Sequence, residues 1–289
     1  MRYGRGLWMC LLLLVSTRPQ AADSPGVTSE DVRFRSEGVT LVGTLIRPEH
    51  PYAAVVLVHG SGQEKRMTTF ASRLASQGIA VLTYDKRGVG ESGGVYAGPE
   101  VGTNNIDAAN FDLLATDASA AAAELSTRLP RDSIPLGLVG FSQAGWIIPL
   151  AAKKNPTVKF MVLFSGPVVT AREQLRFQFY TQGNRSFWET HTEADAREHV
   201  RSDPDKYQFA DTDPRDTLAT LSTPGLWLFG GKDIQAPVGL SIEHLDALTA
   251  RGKPYHYQMF PTLGHNLTSP DASEPVTAAV AWIKALPHS

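Results

Sequence analysis

The chain has 289 residues, 42% of them hydrophobic and 19% charged, which suits one α/β domain with an insertion better than two independent domains. A formal net charge of −2 leaves no basic footprint for nucleic acid. A single cysteine, Cys10, excludes an intrachain disulfide framework and thiolate metal clusters.

At the N-terminus, Arg2 and Arg5 flank the start of an apolar run over residues 7–15, and residues 16–22 turn small and polar. This is the form of a secretory signal over residues 1–22, too short to span a bilayer, with cleavage expected near Ala21 or Ala22. Cys10 lies inside it, so the exported chain is expected to carry no thiol, which suits a periplasm at least as well as the medium.

Residues 31–36 and 39–47 read as a β-hairpin about Glu37-Gly38, ended by Pro48 and Pro51. Residues 53–58 form a continuous apolar run, expected as a strand buried on both faces, and lead into His59-Gly60-Ser61-Gly62. A helix is expected over 67–77, stopped by Gly78. Residues 79–84 make the next buried strand and run into the glycine-rich stretch 85–92. A long polar loop over 96–110 precedes an alanine-rich helix over 111–129. Residues 136–141 read as a strand, Ser142 as the tip of a sharp turn, and Gln143 to Lys154 as an apolar helix. Further strands are expected over 158–164, 226–229 and 255–260, with a closing amphipathic helix over 277–286.

Strands alternating with helices predict a mainly parallel, doubly wound sheet, whose ligands bind at the carboxyl ends of the strands. The core is assigned to residues 23–167 and 223–289. Between them, residues 168–222 break the alternation with charges and aromatics, and hold helical stretches near 170–180 and 192–201. This segment is expected to be a cap over the strand ends, its aromatics either gluing the cap down or lining a pocket.

A serine hydroxyl is a poor nucleophile until an imidazole takes its proton and a carboxylate holds that imidazole. Ser142 sits between small residues, as Gly140-x-Ser142-x-Ala144 followed by Gly145. Asp233 follows a strand in Gly230-Gly231-Lys232-Asp233, and His265 follows the last strand in Gly264-His265-Asn266. Asp211, Asp213 and Asp216 compete for the acid but lie in the insertion, and His256 is expected to pack within a strand. A tetrahedral intermediate needs backbone donors, for which the N–H groups of Gln143 and Ser61 are placed. His59 is expected to brace its loop. The 85–92 stretch lacks a P-loop ending, so Asp85 or Arg87 is expected to pin neighbouring loops. No metal-ligand motif is present, and no metal or cofactor is implied.

Taken together these motifs resemble the α/β-hydrolase superfamily, and within it bacterial exported hydrolases of the serine aminopeptidase-like and carboxylesterase kind. The matching stretches are the Val39–Pro48 hairpin segment, the His59–Gly62 loop, the 85–92 loop, Gly140-Phe141-Ser142-Gln143-Ala144-Gly145-Trp146, the 230–237 loop and Gly264-His265. The chain order Ser, Asp, His is that of the superfamily. The resemblance implies Ser142 as nucleophile, His265 as base, Asp233 as its orienter, and Ser61 and Gln143 as oxyanion donors. Ala144 departs from the superfamily's glycine, and its methyl is expected to crowd the turn slightly. The expected activity is cleavage of carboxylic esters through an acyl-enzyme. The alternatives are a peptidase that holds the substrate amine on Glu173, Glu189, Glu193 or Asp195, and a hydrolase-fold binding protein without turnover. The implied partner is a small ester or short peptide, with no nucleic acid and no membrane span once the leader is removed.

Overall fold

The structure is a computed structural model that describes residues 26–97, 103–129, 134–204, 208–269 and 273–287. The leader expected over 1–22 lies outside the described residues. β1 (Val27–Ser36) and β2 (Val39–Pro48) pair antiparallel, Ser36 opposite Val39, through a turn in which Glu37 and Gly38 both have positive φ. That geometry matches the right-handed twist of the hairpin. β3 (Ala53–Val58), α1 (Thr68–Ala75) and β4 (Ile79–Tyr84) form a βαβ unit, both strands buried throughout. α2 (Thr103–Ile106) and α3 (Ala108–Thr127) follow. Asp107 caps α3 by accepting from Ala109 N–H, so the polar stretch expected to be loop up to residue 110 is already helical from residue 103.

β5 (Leu136–Phe141), α4 (Ala144–Lys154) and β6 (Val158–Phe164) carry the serine turn. Residues 168–222 hold α5 (Ala171–Thr181), α6 (Phe187–Thr190), α7 (Glu193–Ser202) and α8 (Pro214–Leu218), and no strand among the described residues. β7 (Gly225–Gly230), α9 (Val238–Ala250), β8 (Tyr255–Phe260) and α10 (Ser273–Lys284) complete the chain.

The strands form one eight-stranded sheet in the order β1-β2-β4-β3-β5-β6-β7-β8, parallel from β4 through β8. Alternate residues of β3 face opposite cores. Ala54, Val56 and Val58 meet Phe111, Leu114 and Ile147 from α3 and α4, while Ala53, Val55 and Leu57 join Leu74 of α1 and Ile283 of α10. Apolar burial on both faces explains the unbroken hydrophobic runs of the central strands. β8 lies at the edge. His256, expected to pack, is exposed there, as are Tyr257 and Met259.

The 168–222 segment has its own small core of Phe177, Phe187, Ala196 and Val200, against which Ile234 and Leu240 of the body pack. Thr170 and Thr192 open α5 and α7 with reciprocal capping boxes to Glu173 and Asp195. Among the described residues no helix is long and apolar enough to cross a membrane.

Candidate active site

Ser142 follows the last residue of β5 with φ +48°, and its N–H donates to Phe164 O at 2.9 Å. A non-glycine residue in left-handed backbone stores strain, and here it lifts the hydroxyl off the sheet edge. The turn closes at once into α4 through Gly145 N–H to Ser142 O, 2.9 Å. The small residues are set by close approach. A Cβ on Gly140 would stand 2.4 Å from the Ala144 methyl, and one on Gly145 would stand 2.7 Å from Pro167 O. The buried Ala144 methyl is therefore accommodated because Gly140 faces it.

Asp233 directly follows the two-residue turn that closes β7, with its side chain fully buried. Its Oδ1 accepts from the N–H groups of Gln235 and Ala236 at 2.7 and 3.0 Å, which fixes the carboxylate rotamer. Its Oδ2 is 2.7 Å from Nδ1 of His265. Asp233 accepts only, so Nδ1 carries the proton and Nε2 keeps its lone pair. Nε2 is buried and without a hydrogen-bond partner among the described residues. The His265 backbone is held in turn by Ser165 Oγ, which donates to His265 O at 2.7 Å. From the cap, Trp188 Nε1 donates to Asp233 O at 2.8 Å.

After β3 the chain turns back at Gly62, φ +95°. Lys86, buried directly after Asp85, donates from Nζ to Gly60 O at 2.9 Å, to Gly62 O at 3.2 Å and to Gln143 Oε1 at 3.0 Å. The Gln143 amide in turn donates to Asn105 O and Oδ1. His59 is buried beneath this loop with Nε2 2.5 Å from Tyr84 O. Burial, reinforced by the Lys86 ammonium, pushes its pKa down to about 3, so the neutral ring donates to that carbonyl and is taken up in bracing the loop.

The rest of the 85–92 stretch pins loops. Burial works to raise the Asp85 carboxyl, but hydrogen bonds from the Arg66 guanidinium and from the N–H groups of Glu91 and Arg66 outweigh it and hold the carboxyl below its ordinary range. Gly90, at φ +58°, leaves room for that carboxylate, since a Cβ there would lie 2.5 Å from Asp85 Oδ2. Arg87 forms a buried, two-pronged ion pair with Asp117 of α3 and reaches Ser36 O at 3.3 Å.

Two lobes open on either side of Ser142 and His265. The larger, about 510 Å³, is floored by the mutually packed rings of Phe70, Phe141 and Phe164 and edged by Glu64 and Arg66. The smaller, about 300 Å³, lies under α5, with Gln174, Gln178 and Phe179 facing Trp146 and Ile106. Ser61, Ser142 and His265 line both lobes, so the structure brings these sequence-placed residues together, with Asp233 behind His265 and Gln143 on the smaller lobe. Of the cap aromatics, Phe177 and Phe187 form the cap's own core and Phe179 lines a lobe. Tyr207 lies outside the described residues. The four cap carboxylates considered for an amine line neither lobe. Glu173 and Asp195 serve capping boxes, Glu193 pairs with Arg197, and Glu189 is exposed. Among the described residues no group of three or more His, Cys, Asp or Glu side chains is placed to hold a metal ion.

Sequence reasoning passed over Ser165, Arg66 and Lys86; Trp188, one of the insertion's aromatics, joins the cap to the body through its bond to Asp233 O. For Lys86 the signal was present, as a lysine between a strand-end aspartate and an arginine whose structural roles had been anticipated. Ser165, the first residue after β6 and the counterpart of Ser142 one strand over, also has positive φ, at +52°.

Comparison with known proteins bears on the family and the fold. Residues 49–216, more than half of the chain, match the profile of the family described as "Serine aminopeptidase, S33". An esterase from Pyrococcus furiosus superposes with a TM-score of 0.63 at 18% identity, over 92% of this chain and 95% of that one. A putative dienelactone hydrolase from Klebsiella pneumoniae gives 0.61 at 18% identity, over 90% and 99%. An acylaminoacyl peptidase from Pyrococcus horikoshii gives 0.61 at 16% identity, over 90% of this chain and 41% of that one. A putative phosphoribosyl transferase of Mycobacterium tuberculosis is 29% identical over 150 residues, 50% of this chain and 32% of that protein, so the match spans about a third of its length. The structural likenesses establish the fold. The family match goes further, and with it the chain belongs to the serine aminopeptidase S33 family of the α/β-hydrolase superfamily.

Proposed function

We propose that the protein cleaves carboxylic esters through an acyl-enzyme formed on Ser142. His265 Nε2 takes the Ser142 hydroxyl proton as Oγ attacks the ester carbonyl. The N–H groups of Ser61 and Gln143 receive the oxyanion, and the imidazolium returns its proton to the departing alkoxide. Water then attacks the acyl-enzyme with the same base, releasing the acid and restoring the serine. Asp233 holds the imidazole and stabilises its cationic form. The observation that carries this reading is the His265 ring: Nδ1 is bound to a buried carboxylate, and Nε2 is buried and unpartnered among the described residues, in a side chain that lines both lobes beside Ser142. Ser142→Ala is expected to abolish both p-nitrophenyl ester turnover and fluorophosphonate labelling. Retention of either overturns the proposal.

A peptidase with the same triad is the second reading. It needs an anion for the substrate amine, and Glu64 supports it by lining the larger lobe. On this reading aminoacyl amides are cleaved, and Glu64→Gln raises KM for them while leaving neutral acyl esters unaffected. Failure to cleave any amide removes it.

Export belongs to the same proposal and rests on the basic and apolar pattern of residues 1–22. Mass spectrometry of the protein recovered from an exported fraction is expected to find an N-terminus near residue 22 or 23.

A further inference from the structure

We infer that Lys86 is the positioning residue of the oxyanion hole, its buried ammonium holding and polarising both donor-bearing segments at once. The inference rests on the ester-hydrolase reading above. An ammonium offers three N–H donors, and here acceptors come from both sides of the reaction centre. Gly60 O and Gly62 O belong to the loop after β3, and Gln143 Oε1 belongs to the residue that opens α4.

The Gly60 contact is the informative one. The Gly60 carbonyl and the Ser61 N–H belong to the same peptide group. A charged donor 2.9 Å from that carbonyl draws electron density along the amide and makes its N–H a stronger donor to a developing oxyanion. The Gly62 contact, at the φ +95° turn, stops the loop from rotating the Ser61 N–H away. On the other side, Gln143 carries its own donor N–H, and its buried side chain is clamped between Lys86 and Asn105. One cation thus ties together two segments that are far apart in sequence and must present their N–H groups to one oxygen. Desolvating an ammonium is costly, and these acceptors offset that cost. A hydrophobic residue of similar length would fill the space, but it would offer no donor to bridge the two segments, leaving Gln143 held by Asn105 alone on its side.

The test separates this role from simple loss of packing. Wild type, Lys86→Met and Ser142→Ala are assayed on a p-nitrophenyl ester, with inhibition by a trifluoromethyl ketone, which forms an oxyanion on the serine, and by the matching methylene ether, which does not. For Lys86→Met, kcat is expected to fall about 10- to 100-fold with KM within threefold. This is below the roughly 10²–10³ typical of deleting one donor, because the donors remain but are loosened. The ketone should weaken by a similar factor, while the ether binds as before. If kcat stays within twofold of wild type, or if ketone and ether weaken equally, the inference is overturned. Should Lys86→Met lose its cooperative thermal melt, Gln143→Met decides on the same ketone-to-ether ratio, since it removes one Lys86 acceptor and leaves the backbone N–H. If wild type itself neither turns over ester nor labels, the ester-hydrolase reading has failed. If wild type is active and Lys86→Met equals it, only the inference has failed.

Discussion

Ser165 Oγ donates to the backbone carbonyl of His265 at 2.7 Å, joining the end of β6 to the loop that carries the proposed base. Asp233 controls the tautomer of the imidazole, but it does not control where the His265 backbone sits. Ser165 does, and its own left-handed backbone is held by its N–H to Leu228 O at 2.8 Å. Ser165→Ala removes a partly buried hydrogen bond, worth about 0.5–1.5 kcal/mol of stability. A base displaced by a fraction of an ångström also loses rate, and kcat is expected to fall about tenfold with little change in KM. Thermal melts and steady-state kinetics on one ester check both. An unchanged kcat would show that the loop is fixed without Ser165.

His59 makes stability acid-sensitive. Its pKa is pushed down to about 3 in the folded chain, by burial first and the Lys86 ammonium second, against an ordinary value of 6.5. Between those values the unfolded chain binds a proton that the folded chain does not. The contribution is therefore fully present above pH 6.5 and is lost as pH falls towards 3, with a slope of at most about 1.4 kcal/mol per pH unit from this group. Urea unfolding at a series of pH values is expected to be flatter in this window for His59→Asn than for wild type, whatever the substitution costs at neutral pH. Parallel curves would remove His59 as the source.

The central sheet was legible because β3 is a wholly apolar run buried on both faces, β4 departs from that pattern only at Thr83, and β6 runs apolar after the exposed Lys159. The serine turn was legible because close approach demands small residues at fixed spacing. α9 was missed. Its buried positions are Val238, Ser241, Leu245 and Leu248, with a serine in the apolar stripe because Ser241 Oγ accepts from Val168 N–H. The start of α3 was misplaced because Asp107, which reads as a loop residue, is its cap. At the site, residues at strand ends could be read one at a time. Ser165 could not, since it acts through a carbonyl oxygen of a distant segment, and a backbone acceptor leaves no mark on the sequence; Lys86 lay between two residues that were read, but its acceptors on two distant segments were not legible.

Ala144 and Gly145 are neighbours of similar size with opposite tolerances. The Ala144 methyl already fills the space left by Gly140, so Ala144→Gly loses a buried methyl and gains helix-destabilising freedom, at about 1–2 kcal/mol. Gly145→Ala instead drives a Cβ to 2.7 Å from Pro167 O and 2.8 Å from Pro167 N, both backbone atoms that side-chain rotation cannot relieve. Overpacking of this kind costs about 1–3 kcal/mol. It also presses on the chain joining β6 to the cap, so Gly145→Ala is expected to lose activity as well as stability. Denaturant midpoints and kcat for the two variants side by side check the contrast. A well-folded, fully active Gly145→Ala would mean that the Pro167 segment yields freely.

The Arg87–Asp117 pair holds the 85–92 loop to α3, and both partners are almost fully buried. Removing either one leaves the other buried without its counter-charge. Arg87→Met and Asp117→Leu are each expected to destabilise the chain by about 3–5 kcal/mol. The double variant removes both desolvation penalties and should cost much less than the two losses added together. The carbonyl of Ser36, which Arg87 also reaches at 3.3 Å, would still lose a donor, so the double variant is not expected to recover fully. Urea unfolding of the four proteins closes a double-mutant cycle. A coupling energy near zero would show that Arg87 and Asp117 are held by their surroundings and not by each other.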